Sequence, residues 1–490
     1  MSQGPKNLLK THNVVFLVVA AAAPLTVVSA GATAAYATSG MSGVPLGYLV
    51  CGALVAFFAV GFCAMAKEIP NTAAFFSYVS AGLGRSHGLA ASWLALVSYL
   101  AMQVALYSLF GFTVNSLLSS VGVDVPWWLC TIGAIALVAV LGVNSADAAS
   151  KLLGVLLTLE FLAVATFCVV ALNNPAENIG VTTLTPQALL GVGTGTTLAF
   201  TIAGFMGIES TAMYSEETHK PKSTIPRATL IAIGVISIFY AFSSWSIAQS
   251  AGESNIVAAS QEQGADLFFN FLAAHGLEGV VPLIRILLAT SLFAAVTSFH
   301  NTIARYLMAL GREQVIWKKL GGVSGKGAPV NASLALSGFG ALVVLGFGLI
   351  QKLIGYNEGF PADILFSWLS AAGGFGLVFL FLVTSISVIL YFKKHQHTYN
   401  KFVTVIAPVI ATIGFGIVFV LILMNFDVLI GNDELWYLVF IVPGIVLLCG
   451  VAGYIRGEYL RKNDPRIYEN IGSGKPPAEP AELTREPVSV

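Results

Sequence analysis

Apolar runs long enough to cross a bilayer recur along almost the whole chain. They lie near residues 14–40, 44–65, 89–118, 127–143, 152–172, 196–215, 228–248, 281–310, 332–350, 364–392, 402–424 and 435–454. A helix needs about 20 apolar residues to cross the hydrocarbon core. With no water at that depth, every backbone amide and carbonyl must be satisfied by the segment itself, so such runs form helices and not open sheets. The expectation is an all-α membrane protein with about twelve transmembrane helices. Composition agrees: 56% of the 490 residues are hydrophobic and only 10% are charged, against roughly 25% charged in soluble domains. The formal net charge of zero argues against a nucleic-acid partner. Cys51, Cys63, Cys130, Cys168 and Cys449 sit inside apolar stretches at no metal-like spacing, and read as packing residues. The first run is too long for a cleavable signal peptide, and none is expected.

The connecting loops carry charge asymmetrically. If the runs alternate in direction, Lys6, Lys10, Lys67, Arg85, Lys151, Lys220, Lys222, Arg227, Arg312, Lys318 and Lys319 fall on one side, as do Lys393, Lys394, Arg456, Arg461 and Lys462. The opposite loops hold Asp124, Glu177, Glu253, Asp266, Glu278, Glu358 and Asp427, with Arg285 and Lys352 as basic exceptions. The positive-inside rule then puts both termini in the cytoplasm of an integral plasma (inner) membrane protein. Residues 1–462 read as one transporter domain, and 463–490, rich in Pro and Glu, as a disordered cytoplasmic tail. Two loops are more than connectors. Residues 68–88, with Phe75, Phe76 and Tyr78, suit an interfacial helix or a surface anchor. Residues 252–279, apolar at 267–272, suit a short helical cap on the outer side.

Two runs are interrupted. In the sixth, Gly204 and Gly207 weaken the helix, and the carboxylate of Glu209 follows them directly. An acid at membrane depth is costly and marks a functional candidate; the alternative is close helix packing with Glu209 paired to a buried cation. In the first run Pro24 removes an amide and clashes with the preceding turn, where the alternative is a simple kink. The two runs are five apart, so they point in opposite directions. Paired interruptions in oppositely oriented halves mark a transporter's binding site. Freed amino ends can hold a carboxylate there, and freed carbonyls an ammonium or sodium ion.

The residues carry a family resemblance. GFMGIESTAMYSEETHKPKSTIPRA, residues 204–228, resembles the sixth-span signature of the amino acid–polyamine–organocation permeases. NTIARYLMALGR, residues 301–312, is similar to a second family motif, and the 69–78 loop to a third, with Ala73-Ala74 where a glycine pair is frequent. The resemblance covers nearly the whole chain. It implies a leucine-transporter-like 5+5 inverted repeat, spans one to five and six to ten, with broken helices one and six and two further C-terminal helices. It also implies alternating access, with substrate meeting Ala23, Pro24, Leu25, Thr26, Val27 and Val28 on span one. On span six the implied contacts are Ala203, Gly204, Phe205, Met206 and Gly207. The chain departs from the pattern in two places. Span one has Pro-Leu-Thr where many amino-acid members have a glycine-rich break, which looks more like polyamine-importing relatives. The lysine that several proton-coupled members carry in span five is absent, and Glu160 stands close by.

Other polar candidates lie on helical faces. Tyr99, Gln103 and Tyr107 share one face of the third run, either toward the site or as packing. Thr297 and Ser298 resemble the paired hydroxyls that help bind sodium in sodium-coupled relatives; hydroxyls also bond their own helix backbone. His300 reads as a packed histidine. Glu160 and Glu209 are the acids placed deep inside runs and the candidates for proton coupling, with Glu209 favoured. No phosphate loop, zinc spacing or nucleophile elbow appears, so neither enzyme activity nor a cofactor is expected. The reading is a secondary active transporter importing amino acids or related small amines, driven by protons. Its partners are the substrate, a coupling ion and lipid, and it acts as a monomer or weak homodimer. A polyamine or organocation importer or exchanger, and a sodium symporter, remain open, as does a channel or transport-dead sensor.

Overall fold

The structure, a computed structural model, describes residues 10–69, 73–142, 149–218, 220–324, 328–430 and 437–477. It is helical throughout, with no β-strand among the described residues. Nine helices there are long and apolar enough to cross a bilayer. They are Val44–Glu68, Arg85–Ser119, Val155–Asn173, Lys222–Ala251, Val281–Arg312, Val330–Ile354, Ile364–Lys394, Phe402–Met424 and Leu438–Asn463. The other three apolar runs fall short of that measure. The fourth is the 16-residue helix Trp127–Gly142, and the first and sixth are broken.

Burial orders these helices from the centre outward. Of the most apolar window of Arg85–Ser119, 67% is buried inside the protein, against 22% for Leu438–Asn463. Arg85–Ser119 packs against Ser367–Lys394, Val281–Arg312, Trp127–Gly142 and the inner side of Leu438–Asn463. The outer helices present apolar side chains to their surroundings, among them Phe440 at 70% and Leu342 at 70% exposure. Such surfaces suit hydrocarbon and not water. Small residues allow the close inner contacts. A Cβ at Gly374 would stand 2.5 Å from the Ala199 carbonyl oxygen, and one at Gly376 would stand 1.9 Å from Ser98 Oγ.

Several expectations gain detail. The 68–88 loop does contain a helix, Ala74–Leu83, but it is not a surface element. Phe75, Phe76 and Tyr78 are almost wholly buried, and the helix packs between Arg85–Ser119 and Ser367–Lys394. Phe62 packs against Phe75 and Tyr78, and Phe381 packs against Phe75. The 252–279 loop forms the helices Ile256–Gln263 and Asp266–Leu272, with Leu267, Phe268, Phe269 and Leu272 buried. Arg285, an exception to the charge pattern, is accounted for there: it pairs with Asp266 at 2.6 Å and lies over the Phe269 ring. The chain does not turn into a free tail at Asn463. A second helix, Pro465–Asn470, follows at once, begun by the Asp464 side chain accepting from the Ile467 amide at 3.2 Å. Residues 478–490 of the expected tail lie outside the described residues.

Candidate functional site

The first run breaks one residue before its proline. Helix Thr11–Ala21 ends, Ala23 adopts the left-handed conformation (φ 47°, ψ 69°), and helix resumes at Pro24. The proline explains the position: its ring clashes with the turn before it and restricts the preceding residue. It then serves as a good first residue for the new helix, where its missing amide is no loss. A left-handed alanine is strained, and the surroundings hold it. Tyr240 donates from its hydroxyl to the Ala22 carbonyl at 2.9 Å, satisfying an oxygen the break has freed. On the far side the helix widens to a π-turn over Val27–Gly31 before continuing as Ala32–Ser39.

The sixth run breaks at its glycines. Helix Thr194–Ala203 stops, Gly207 takes φ 102°, and a 3₁₀ helix continues over Ile208–Glu217. Only glycine adopts that φ without strain. The carboxylate of Glu209 folds back over the break, accepting from the Gly207 amide at 3.2 Å through each oxygen. Tyr99, from the third run, donates its hydroxyl to the same carboxylate.

Glu160 plays the matching part at the first break. It accepts from Ser291 Oγ at 2.7 Å and, at a longer 3.5 Å, from the Leu25 amide at the start of the resumed helix. Thr26 Oγ1 lies 3.5 Å from Ser291 Oγ. Each break therefore has a buried carboxylate over the amino end of its second half, the polarity that a helix dipole favours. Among the described residues, neither acid pairs with a Lys, Arg or His. The pairing of Glu160 with Arg305 or His300 considered from sequence is not formed; the Nε2 of His300 meets Ser333 Oγ at 2.8 Å.

A cavity with about 530 Å³ of atom-free space, part of it continuous with solvent, lies between the two breaks. Ala22, Ala23, Thr26 and Val27 line it from the first run, and Phe200, Ala203, Gly204 and Met206 from the sixth. Met102, Leu106, Ala295 and Phe299 complete much of the wall, which is mostly apolar with Thr26, Ser370 and Tyr48 among its polar members.

The sequence-predicted residues divide accordingly. Ala23, Thr26, Val27, Ala203, Gly204 and Met206 line the cavity; Pro24, Leu25, Val28 and Phe205 are buried and Gly207 half-buried, and none of these five lines it. Tyr99 reaches Glu209 instead of the cavity wall, and Gln103 is buried outside that wall. Thr297 donates to its own helix at the Phe293 carbonyl, 2.7 Å away, and neither it nor Ser298 lines the cavity. The hydroxyl of the eighth run that meets the first and fifth is Ser291, two turns earlier. Sequence reading missed Ser291, Tyr240 and Tyr48. Tyr48 lines the cavity, is 1% exposed, and has a hydroxyl with no hydrogen-bond partner among the described residues. It sits in an apolar stretch, GYLVCG, with no periodic polar neighbour to give it away.

The comparisons with known proteins bear on this arrangement. A family model described as amino acid permease matches residues 13–467. A branched-chain amino acid permease of Lactococcus lactis subsp. cremoris is 22% identical over 330 residues, 60% of this chain and 66% of that protein. An aromatic amino acid permease of the same organism is 26% identical over 231 residues, 46% of this chain and 47% of that one. A gamma-aminobutyric acid permease of Bacillus subtilis is 23% identical over 372 residues, covering 73% and 74%. The chain thus aligns with just under two thirds of the first relative's length and about half of the second's. The family match takes in both helix breaks, both carboxylates and the cavity between them, and the protein belongs to the amino acid permease family.

Proposed function

We propose that this protein is a secondary active permease that imports an amino acid or a related small amine by alternating access, coupled to protons. The observation that carries the reading is the cavity between two broken helices, with a carboxylate over the amino end of each resumed half. At a break, backbone dipoles do the binding work that side-chain charges would otherwise do. An apolar wall then accommodates the body of the substrate, and a carboxylate without a cationic partner is suited to exchanging a proton as its surroundings change. The proposal includes twelve spans arranged as a 5+5 inverted repeat plus two, both termini in the cytoplasm, and a monomeric or weakly dimeric unit in the plasma membrane. Within it Glu209 is the coupling residue and Glu160 the reserve. The compounds for which the relatives are named, branched-chain and aromatic amino acids and gamma-aminobutyric acid, all carry an amine, and the mostly apolar cavity suits small apolar bodies.

One observation favours a second reading for the substrate class, an amine without a carboxylate. Pro24 offers no amide at the first break, and the Leu25 amide faces Glu160. A substrate carboxylate would compete with that acid. Thermal-shift screening of purified protein against amino acids and diamines separates the two classes, because a ligand that binds only the folded state raises its stability. Counterflow of the stabilising compound in proteoliposomes then tests transport itself. Accelerated exchange supports a carrier; its absence supports a channel or a sensor.

A further inference from the structure

At the end of the bundle that carries the C-terminal segment, a second cleft opens away from the cavity already described. It contains about 750 Å³ of atom-free space, some of it continuous with solvent. Its walls come from the helix Ala74–Leu83 (Ser77, Ser80, Ala81), from the start of Arg85–Ser119 (Gly84, Arg85) and from the C-terminal segment (Tyr468, Ile471, Gly472).

Three features of these walls point at an anion. Helix Arg85–Ser119 starts at this wall, Gly84 and Arg85 lining the cleft, with no side chain capping it among the described residues, so the uncapped first-turn amides and the positive end of the dipole lie beside the cleft. Arg85 supplies a guanidinium, which has no ion pair among the described residues and lies 5.8 Å from the Tyr468 ring centroid. Independently of both, Ser77 lines the cleft with a hydroxyl that is buried, the residue being 1% exposed, and that has no hydrogen-bond partner among the described residues. A buried hydroxyl left unpaired is costly. The nearby Ser80 is satisfied, donating to the Phe76 carbonyl at 2.7 Å. Two acids beside the cleft are engaged: Glu313 accepts from the Gly472 and Gly474 amides at 2.7 and 2.8 Å, and Glu458 accepts from Ser86 Oγ at 2.7 Å.

We propose that this cleft binds a phosphate-type anion, held by the Arg85 guanidinium, the Ser77 hydroxyl and the amino end of helix Arg85–Ser119, and that binding clamps residues 465–474 onto helix Ala74–Leu83. A phosphate presents oxygens in several directions, which matches a planar fork, a hydroxyl and helix amides converging from different elements. Clamping follows from where the walls belong. A Cβ at Gly472 would stand 3.0 Å from Ser80 Cβ and 3.7 Å from Ser77 Cα, so the segment already lies against the helix it would be tied to. Ile69 and Ile471 give the cleft an apolar side, compatible with a phospholipid headgroup as well as with a soluble phosphate. The proposal is independent of what the protein transports.

The test uses the full chain in phosphatidylcholine nanodiscs in phosphate-free buffer, with amide hydrogen exchange of residues 467–474 as the readout. One arm adds inorganic phosphate; the other replaces part of the phosphatidylcholine with phosphatidylglycerol. Slower exchange with phosphate identifies a soluble anion, and slower exchange with phosphatidylglycerol alone identifies a lipid headgroup. Arg85→Gln should weaken the response about tenfold, as expected for losing a charge-assisted hydrogen bond. Ser77→Ala should also weaken it, yet leave the anion-free protein as stable as before or more so, because the hydroxyl it removes has no partner there. Unchanged exchange in both arms, or a full response in Arg85→Gln and Ser77→Ala, overturns the proposal.

Discussion

The two helix breaks reach the same end by different means. At the sixth run the break is local: glycine supplies the backbone freedom, and the acid that covers the freed amide lies two residues away, Gly207 to Glu209. At the first run the break is a cooperative product of distant chain. Proline forces it, Tyr240 satisfies the carbonyl, and the acid Glu160 belongs to the fifth run, 135 residues from Leu25. A local break keeps its geometry when neighbouring helices shift. A break held from elsewhere changes whenever the first, fifth and eighth runs move relative to one another. Under the proposed alternating access, the first break would report helix motion, and the sixth, tied to the third run through Tyr99 alone among these contacts, would hold the more constant geometry.

Removing the basis of the local break should have the largest effect. Gly207→Leu puts a bulky side chain at φ 102°, where strain of about 1–3 kcal/mol falls directly on the site. Uptake is expected to be lost while insertion and folding persist, read by transport and by size-exclusion behaviour of the same preparation. Wild-type uptake in a well-expressed Gly207→Leu variant would mean that the break has no functional role.

The distant break predicts a graded effect. Ser291→Ala removes the shorter of the two hydrogen bonds to Glu160, worth about 1 kcal/mol, or roughly fivefold in an equilibrium. If the first break reports helix motion, this variant should slow exchange several-fold and leave substrate affinity nearly unchanged. The opposite split, affinity lost and exchange rate kept, would assign Glu160 to binding. Both quantities come from one concentration series of counterflow rates.

A third buried carboxylate sharpens the contrast because it holds backbone amides without any break. Burial pushes Glu313, just beyond the eighth helix, from 4.5 up to about 7, against the pull of its hydrogen bonds to Gly472 and Gly474. A pKa raised in the docked state means that docking favours the protonated acid. Its contribution is full below about pH 4.5 and is lost as pH rises through about 7. Exchange protection of residues 471–474, corrected for intrinsic rates, should fall over that window, and Glu313→Gln should flatten the dependence.

Much of this molecule is legible in its sequence, and the limits have physical causes. Hydrophobic run length fixes the helices, because the bilayer imposes one length and one backbone solution. The sixth break is visible because glycine, carboxylate and charged loop are neighbours. The first was placed to within a residue, since proline acts on the turn before itself. The network around Glu160 was not legible: Ser291 looks like any helical serine, and only tertiary packing brings it to a glutamate 131 residues away. Tyr48 was hidden for a related reason, as one aromatic in an apolar helix carries no sign of whether its hydroxyl finds a partner. The helix Ala74–Leu83 could be anticipated from its composition but not its burial, which depends on Phe62 and Phe381 lying where they do.

The central claim is that the carboxylate at the local break carries the proton that drives uptake. Its most direct test is accumulation of labelled substrate in proteoliposomes under an imposed pH difference, comparing wild type with Glu209→Gln, which keeps the shape of the side chain and cannot titrate. The account predicts that the variant still exchanges substrate across the membrane and no longer accumulates it against a gradient. Uphill accumulation by Glu209→Gln at the wild-type level, or accumulation in the wild type that follows an imposed sodium gradient and not the pH difference, would contradict it.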